Sequence, residues 1–82
     1  MPDRTLPSKE PKGFVRSTGI PNTSSSTSYF AATADAVARC DRDAKCIGVS
    51  AQRMFYGTVG TPAMVAGRAG ETESFVRQGI HQ

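Results

Sequence analysis

Strong apolar side chains are scarce in this 82-residue chain: one Leu, three Ile, six Val and four Phe, about 17 percent of the residues. At that level disorder competes with folding, and any core must be thin. The length is far below that at which a second domain forms, so one small domain with appendages is all that fits. No apolar run approaches the roughly 18 residues that cross a bilayer. The N-terminus also lacks the short apolar stretch of a secretory signal, so a soluble chain with no membrane span is expected. The only histidine, His81, is the penultimate residue, where chain ends usually fray, and its position argues against most enzymes. Ten basic against seven acidic side chains give a net charge of +3, dispersed along the sequence. That is not the cationic stripe of a nucleic-acid binder, and no nucleic-acid partner is expected.

Catalytic and metal constellations are missing too. Ser24, Ser25 and Ser26 have no histidine base near them in sequence, and there is no Gly-x-Ser-x-Gly elbow to activate a serine. Asp41 and Asp43 lie among Arg42 and Lys45 and read as a solvated face. Two thiolates and one distant histidine supply no tetrahedral set, so neither a metal nor another cofactor is expected. The Gly-x-x-Gly spacings at Gly57 to Gly60 and Gly67 to Gly70 mark turns. Arg53 beside Phe55 and Tyr56 is the nearest approach to a base-stacking platform. Asn22, Thr23 and Ser24 form an N-glycosylation triplet, which matters only in a secretory pathway.

What the chain does contain is ordered along its length. Residues 1–28 carry four of the five prolines and the polar run Thr23 to Ser28, and read as an extended Pro/Ser/Thr-rich arm. Within it Phe14, Val15 and Ile20 are apolar anchors separated by polar residues, the pattern of an arm lying across a neighbouring surface. Tyr29 and Phe30 open the second part, residues 29–82, a small α+β domain. Thr33 is the expected N-cap of a helix running to about Asp43, with Asp35 in its first turn and Val37, Cys40 and Ala44 on one face. From Cys46 the period becomes two, with Ile47, Val49 and Ala51 on one side, which predicts a half-buried strand. Further strands are expected over Arg53 to Val59, Met64 to Ala66 and Glu73 to Gln78. The expected fold is α+β: one short helix packed on a small antiparallel sheet, preceded by the extended arm.

Cys40 and Cys46, with five residues between them, sit at the end of the helix and the start of the strand. A bond between them would constrain the unfolded chain by roughly 2.4 kcal/mol and staple helix to sheet. The alternative is a pair of reduced thiols in a reducing compartment.

The stretch Ala34 to Gln52, ADAVARCDRDAKCIGVSAQ, resembles the helix, Cys, five residues, Cys, strand segment of apple/PAN domains, and a looser likeness extends from Tyr29 to Gln78. Ser74, Phe75, Val76 and Arg77 stand where that family has a strand with a cysteine, an aromatic and a basic residue. Ala36 stands where it has an earlier helix cysteine. The resemblance implies that Ala36 and Ser74 replace the two halves of one bridge together, and that the terminal bridge is missing as well. It also implies a non-catalytic module binding protein or carbohydrate through the loops from Met54 to Gly70.

Taken together, these features point first to a non-catalytic structural or accessory subunit of a larger assembly, such as a virion, a surface filament or a photosynthetic complex. Its partners are other protein subunits, held through Phe14, Val15, Ile20 and Tyr29, in an oxidising or extracellular setting if the bridge forms. A freestanding PAN-like protein- or carbohydrate-binding module is the alternative.

Overall fold

The computed structural model describes residues 6–26, 30–51, 53–57, 63–68 and 71–78. Seven elements follow in chain order: β1 (Phe14–Thr18), β2 (Ile20–Pro21), α1 (Thr33–Asp41), β3 (Cys46–Val49), β4 (Met54–Tyr56), β5 (Met64–Val65) and β6 (Glu73–Arg77). The fold is α+β, as expected. A four-stranded antiparallel sheet has the order β1-β6-β3-β4, and β2 and β5 form a second, two-stranded sheet.

The helix is short because its sequence offers little to extend it. Ala32 occupies the cap position without a side-chain bond. Thr33, the expected N-cap, is instead the first helical residue, and its hydroxyl donates to the carbonyl of Ala51. That bond ties the start of α1 to the chain leaving β3. The buried face also differs from the expected one. Ala36 and Cys40 are fully buried, Val37 is half-buried beside them and Ala44 is exposed. The methyl of Ala36 lets the helix approach the sheet closely, where Val49, Met54 and Phe75 complete the main core with Leu6, Phe14, Cys46 and Ala51. Ile20, Ile47 and Phe55 form a smaller cluster.

Strand β3 serves both clusters because of an irregularity. Its register against β4 shifts between Cys46 and Gly48, which leaves Cys46 and Val49 on the α1 side while Ile47 joins the other cluster. Gly48 is required there for space, since a Cβ at that position would lie 2.9 Å from the Phe75 carbonyl oxygen of β6. The β3–β4 hairpin is closed by the Ser50 N–H donating to the Arg53 carbonyl at 2.9 Å.

Residues 14–21, which sequence reasoning assigns to an extended arm, are extended but lie within the chain's own sheets. β1 pairs with β6 over its whole length, Phe14 opposite Arg77 through Thr18 opposite Glu73. Gly19, with φ of +82°, then turns the chain into β2. It also lets the strands meet, because a Cβ there would sit 2.5 Å from the Val65 carbonyl oxygen. A boundary at residue 28 therefore cuts across the sheets: β1 and β2 lie before it and their partners β6 and β5 after it.

Candidate functional site

Three local arrangements concentrate the chemistry of the described residues. The first is a buried ion pair. Arg53 and Glu71 meet side-on, Nε to Oε2 and Nη2 to Oε1, both at 2.7 Å. The Ser50 hydroxyl donates to Oε2 at 2.7 Å and the Arg68 N–H to Oε1 at 3.0 Å. Both residues are buried, and the Arg53 guanidinium lies 4.6 Å from the centroid of the Phe55 ring while its Nη1 donates to Ser26. Burial pushes the Glu71 carboxyl up, but the hydrogen bonds from Arg53, Ser50 and the Arg68 N–H outweigh it and bring its pKa down to about 2. A carboxylate accepting four donors is held ionised at neutral pH and has no lone pair directed at an incoming proton.

The second arrangement is the disulfide. Cys40 and Cys46 are bonded, their Cα atoms 5.3 Å apart, and both are fully buried. Arg77 closes over the same loop: its Nη1 donates to the carbonyls of Cys40 at 3.2 Å, Asp43 at 2.7 Å and Cys46 at 3.3 Å. Two of these carbonyls also accept a backbone N–H, Cys40 O from Asp43 and Asp43 O from Cys46, and the cation adds to those bonds at the negative end of the helix.

The third is the edge of the main sheet. In the β1–β6 ladder the odd-numbered residues of β1 exchange backbone bonds with the even-numbered residues of β6, a pattern that continues through Gln78 N–H to Gly13 O at 2.9 Å and Gly19 N–H to Thr72 O at 2.8 Å. The N–H and C=O of Arg16 and Thr18 therefore point away from the sheet, while the Phe14 N–H is taken by the Pro11 carbonyl. The opposite edge, β4, is covered: Tyr56 N–H donates to Ser25 O at 3.0 Å, and the Thr23 hydroxyl to Tyr56 O at 2.7 Å. Among the described residues β1 is thus the open edge.

Arg16 fixes the approach to that edge. Its guanidinium meets Glu73 at 2.9 Å and Glu10 at 3.5 Å, donates to Pro7 O at 2.5 Å, and lies 5.2 Å from the Phe75 ring centroid. Pro7, whose carbonyl it holds, and Pro11 form with Ala34, Val37, Ala38 and Phe75 a shallow apolar groove of about 270 Å³ along α1.

Of the four residues expected to touch a partner, Phe14 and Ile20 are buried in the two clusters of the chain itself. Val15 is exposed, at 42%, and Tyr29 lies outside the described residues. Alternation along β6 explains this division in part: Phe75 and Arg77 face α1, so Phe14, opposite Arg77, does too, and Val15 faces away. The same alternation puts Ser74 on the face of β6 away from Ala36. Of the loops from Met54 to Gly70, only 54–57 and 63–68 are described. Arg53, considered above as a stacking residue, is committed to Glu71 and Phe55 instead. Sequence reasoning missed its pairing with Glu71 because the partners are far apart in the chain and neither lies in a motif.

Among the described residues no three His, Cys, Asp or Glu side chains come together as a metal site, and no helix is long and apolar enough to cross a membrane. Comparison of the chain with family models, with curated proteins and with solved structures finds no match.

Proposed function

We propose that this chain is a non-catalytic structural subunit of a larger protein assembly, and that its N-terminal region makes the contact. The observation that carries the reading is the open edge of β1, where the backbone groups of Arg16 and Thr18 point outward beside the exposed Val15. Strand addition at such an edge gives affinity through main-chain bonds and needs no prepared pocket. The contact is consequently made along a strand and not by anchors reaching out, because Phe14 and Ile20 are occupied in the cores. A subunit of this kind must be rigid although its core is small. The disulfide, the Arg77 cap and the Arg53–Glu71 pair supply cross-links between elements that a few apolar side chains could not. The saturation of Glu71 also favours a structural over a catalytic use of the most perturbed acid among the described residues.

The test is the native mass of the chain in extract from its source, by size-exclusion chromatography with light scattering, together with cross-linking from a reactive group at position 15. Elution within a large particle, with cross-links from position 15 to another protein chain, is expected. Elution near the 8.7 kDa of a free chain refutes the reading. A PAN-like binding module is the second reading, favoured by the bond that joins the end of α1 to the start of β3. It predicts a free monomer that retains a glycan or peptide on an array.

A further inference from the structure

We infer that the partner at the β1 edge is a second copy of this chain, paired antiparallel about a two-fold axis at Ser17. The inference deepens the assembly reading and rests on it for the use of this edge. Only Arg16 and Thr18 present both backbone groups outward, so an antiparallel pair uses them fully in one register, Arg16 opposite Thr18 of the other copy. That register forms about four backbone hydrogen bonds across the axis. Sliding it to set Arg16 opposite Arg16 puts Thr18 opposite Phe14, whose N–H is already taken by the Pro11 carbonyl. Sliding it the other way sets Arg16 opposite Ile20, which is already paired with Val65 in β2–β5.

The side chains suit the same register. Arg16, the charge that would otherwise guard the edge, is neutralised by Glu73 and Glu10 of its own chain. On the other face Val15 comes opposite Gly19 of the second copy. Val65 lies against that glycine, its carbonyl oxygen within 2.5 Å of where a Cβ would stand. Val15 and Val65, 42% and 41% exposed, are the exposed large apolar residues among those described, and the two-fold brings the one towards the other on both sides of the axis. The product is two four-stranded sheets joined into one.

Sedimentation equilibrium of the purified chain, its Cys40–Cys46 bond intact, tests this directly. A concentration-dependent species of twice the 8.7 kDa chain mass is expected. Thr18→Pro deletes an outward N–H and no ladder bond, so it is expected to abolish the dimer and leave the thermal melt in place. Ser17→Cys leaves every outward backbone group intact. At a non-hydrogen-bonded antiparallel pair the two Cα atoms lie about 4.5 Å apart, within disulfide range, so this variant is expected to cross-link under mild oxidation while Val15→Cys does not. A chain that stays monomeric to about 1 mM, or a dimer that survives Thr18→Pro, overturns the inference. So does a cross-link at position 15 but not at 17. A monomer in purified form that still travels in a large particle in extract removes the second copy as partner and leaves the assembly reading standing.

Discussion

Replacing Glu71 by Gln should remove most of a pH-dependent part of this protein's stability. The carboxyl has a pKa of about 2 in the folded chain against an ordinary 4.5. At about 1.4 kcal/mol per unit the difference amounts to about 3 kcal/mol, and screening at the rim of the pair brings it towards about 2. Because the folded pKa is lowered, the unfolded chain binds the proton first. The contribution is therefore complete above about pH 5 and is lost as the pH falls through 4.5 towards 2. That is a large share of the roughly 4 to 12 kcal/mol available to a domain of 82 residues. The assay is urea denaturation at pH 7, 5, 4 and 3 for the native chain and for Glu71→Gln. Other carboxylates titrate in the same range, so the quantity that counts is the difference between the two proteins. It should be largest at pH 7, where Gln leaves the Arg53 cation buried beside a neutral group, and should shrink as the pH approaches 3. A difference that stays constant with pH would refute the reasoning, because it would mean that the proton on Glu71 is not what the pair excludes. Arg53→Met with Glu71→Leu separates charge from shape: losing both partners together should cost less than Arg53→Met alone.

Cys40→Ser should lower stability by about 2 kcal/mol in thermal denaturation, and the native bond, whose sulfurs are buried, should be reduced by dithiothreitol only as fast as the protein opens. Equal reduction rates in native and unfolded protein would contradict that burial. Arg77→Met should cost about 1.5 to 3 kcal/mol, since a charged donor to three carbonyls disappears, and amide exchange should quicken at Asp43 and Cys46; unchanged protection would show that water caps the loop equally well. Ser74→Ala should be neutral or stabilising, because the buried Ser74 hydroxyl has no hydrogen-bond partner, and a loss above about 1 kcal/mol in denaturation would reveal one. The pair Ala36→Cys and Ser74→Cys should remain two free thiols by mass spectrometry, since the residues lie on different sides of β6; a quantitative bridge would bring them together as the PAN-like correspondence implies.

The parts of the fold legible in the sequence are those whose cause is local. The period of two from Cys46, the aromatic pair Phe55 and Tyr56, and the Phe75–Val76 segment announce β3, β4 and β6 because strand alternation is written within a few residues. The Cys40–Cys46 bond was legible for the same reason. The N-terminal strands were not. Residues 14–21 hold only Phe14, Val15 and Ile20 as apolar signals among Arg, Ser, Thr, Gly and Pro, and what makes them strands is pairing with Glu73–Arg77 and Met64–Val65, more than forty positions away. The face of α1 was misread by one position because Ala36 counts for little on a hydropathy pattern, yet its small size is what admits the helix to the sheet. The register shift in β3 and the Arg53–Glu71 pair arise wholly from tertiary context.

The two edges of the main sheet carry the argument about function, because they are treated so differently by the same short stretch of chain. Residues 23–26 fold back and satisfy Tyr56, closing β4. Residues 7–11 lie close to β1 as well, held by Arg16, yet they take only the Phe14 N–H and leave Arg16 and Thr18 open. An edge left open by accident is an aggregation hazard, commonly countered by proline, by bulges or by unpaired charge. The inward charge on β1 is paired within the chain, and the prolines at positions 7, 11 and 21 all fall outside the strand. With these devices missing from the strand, the edge meets the requirements of a specific strand-to-strand contact: a short ladder of fixed register, one exposed valine on it, and rigid support from β6 along its whole length.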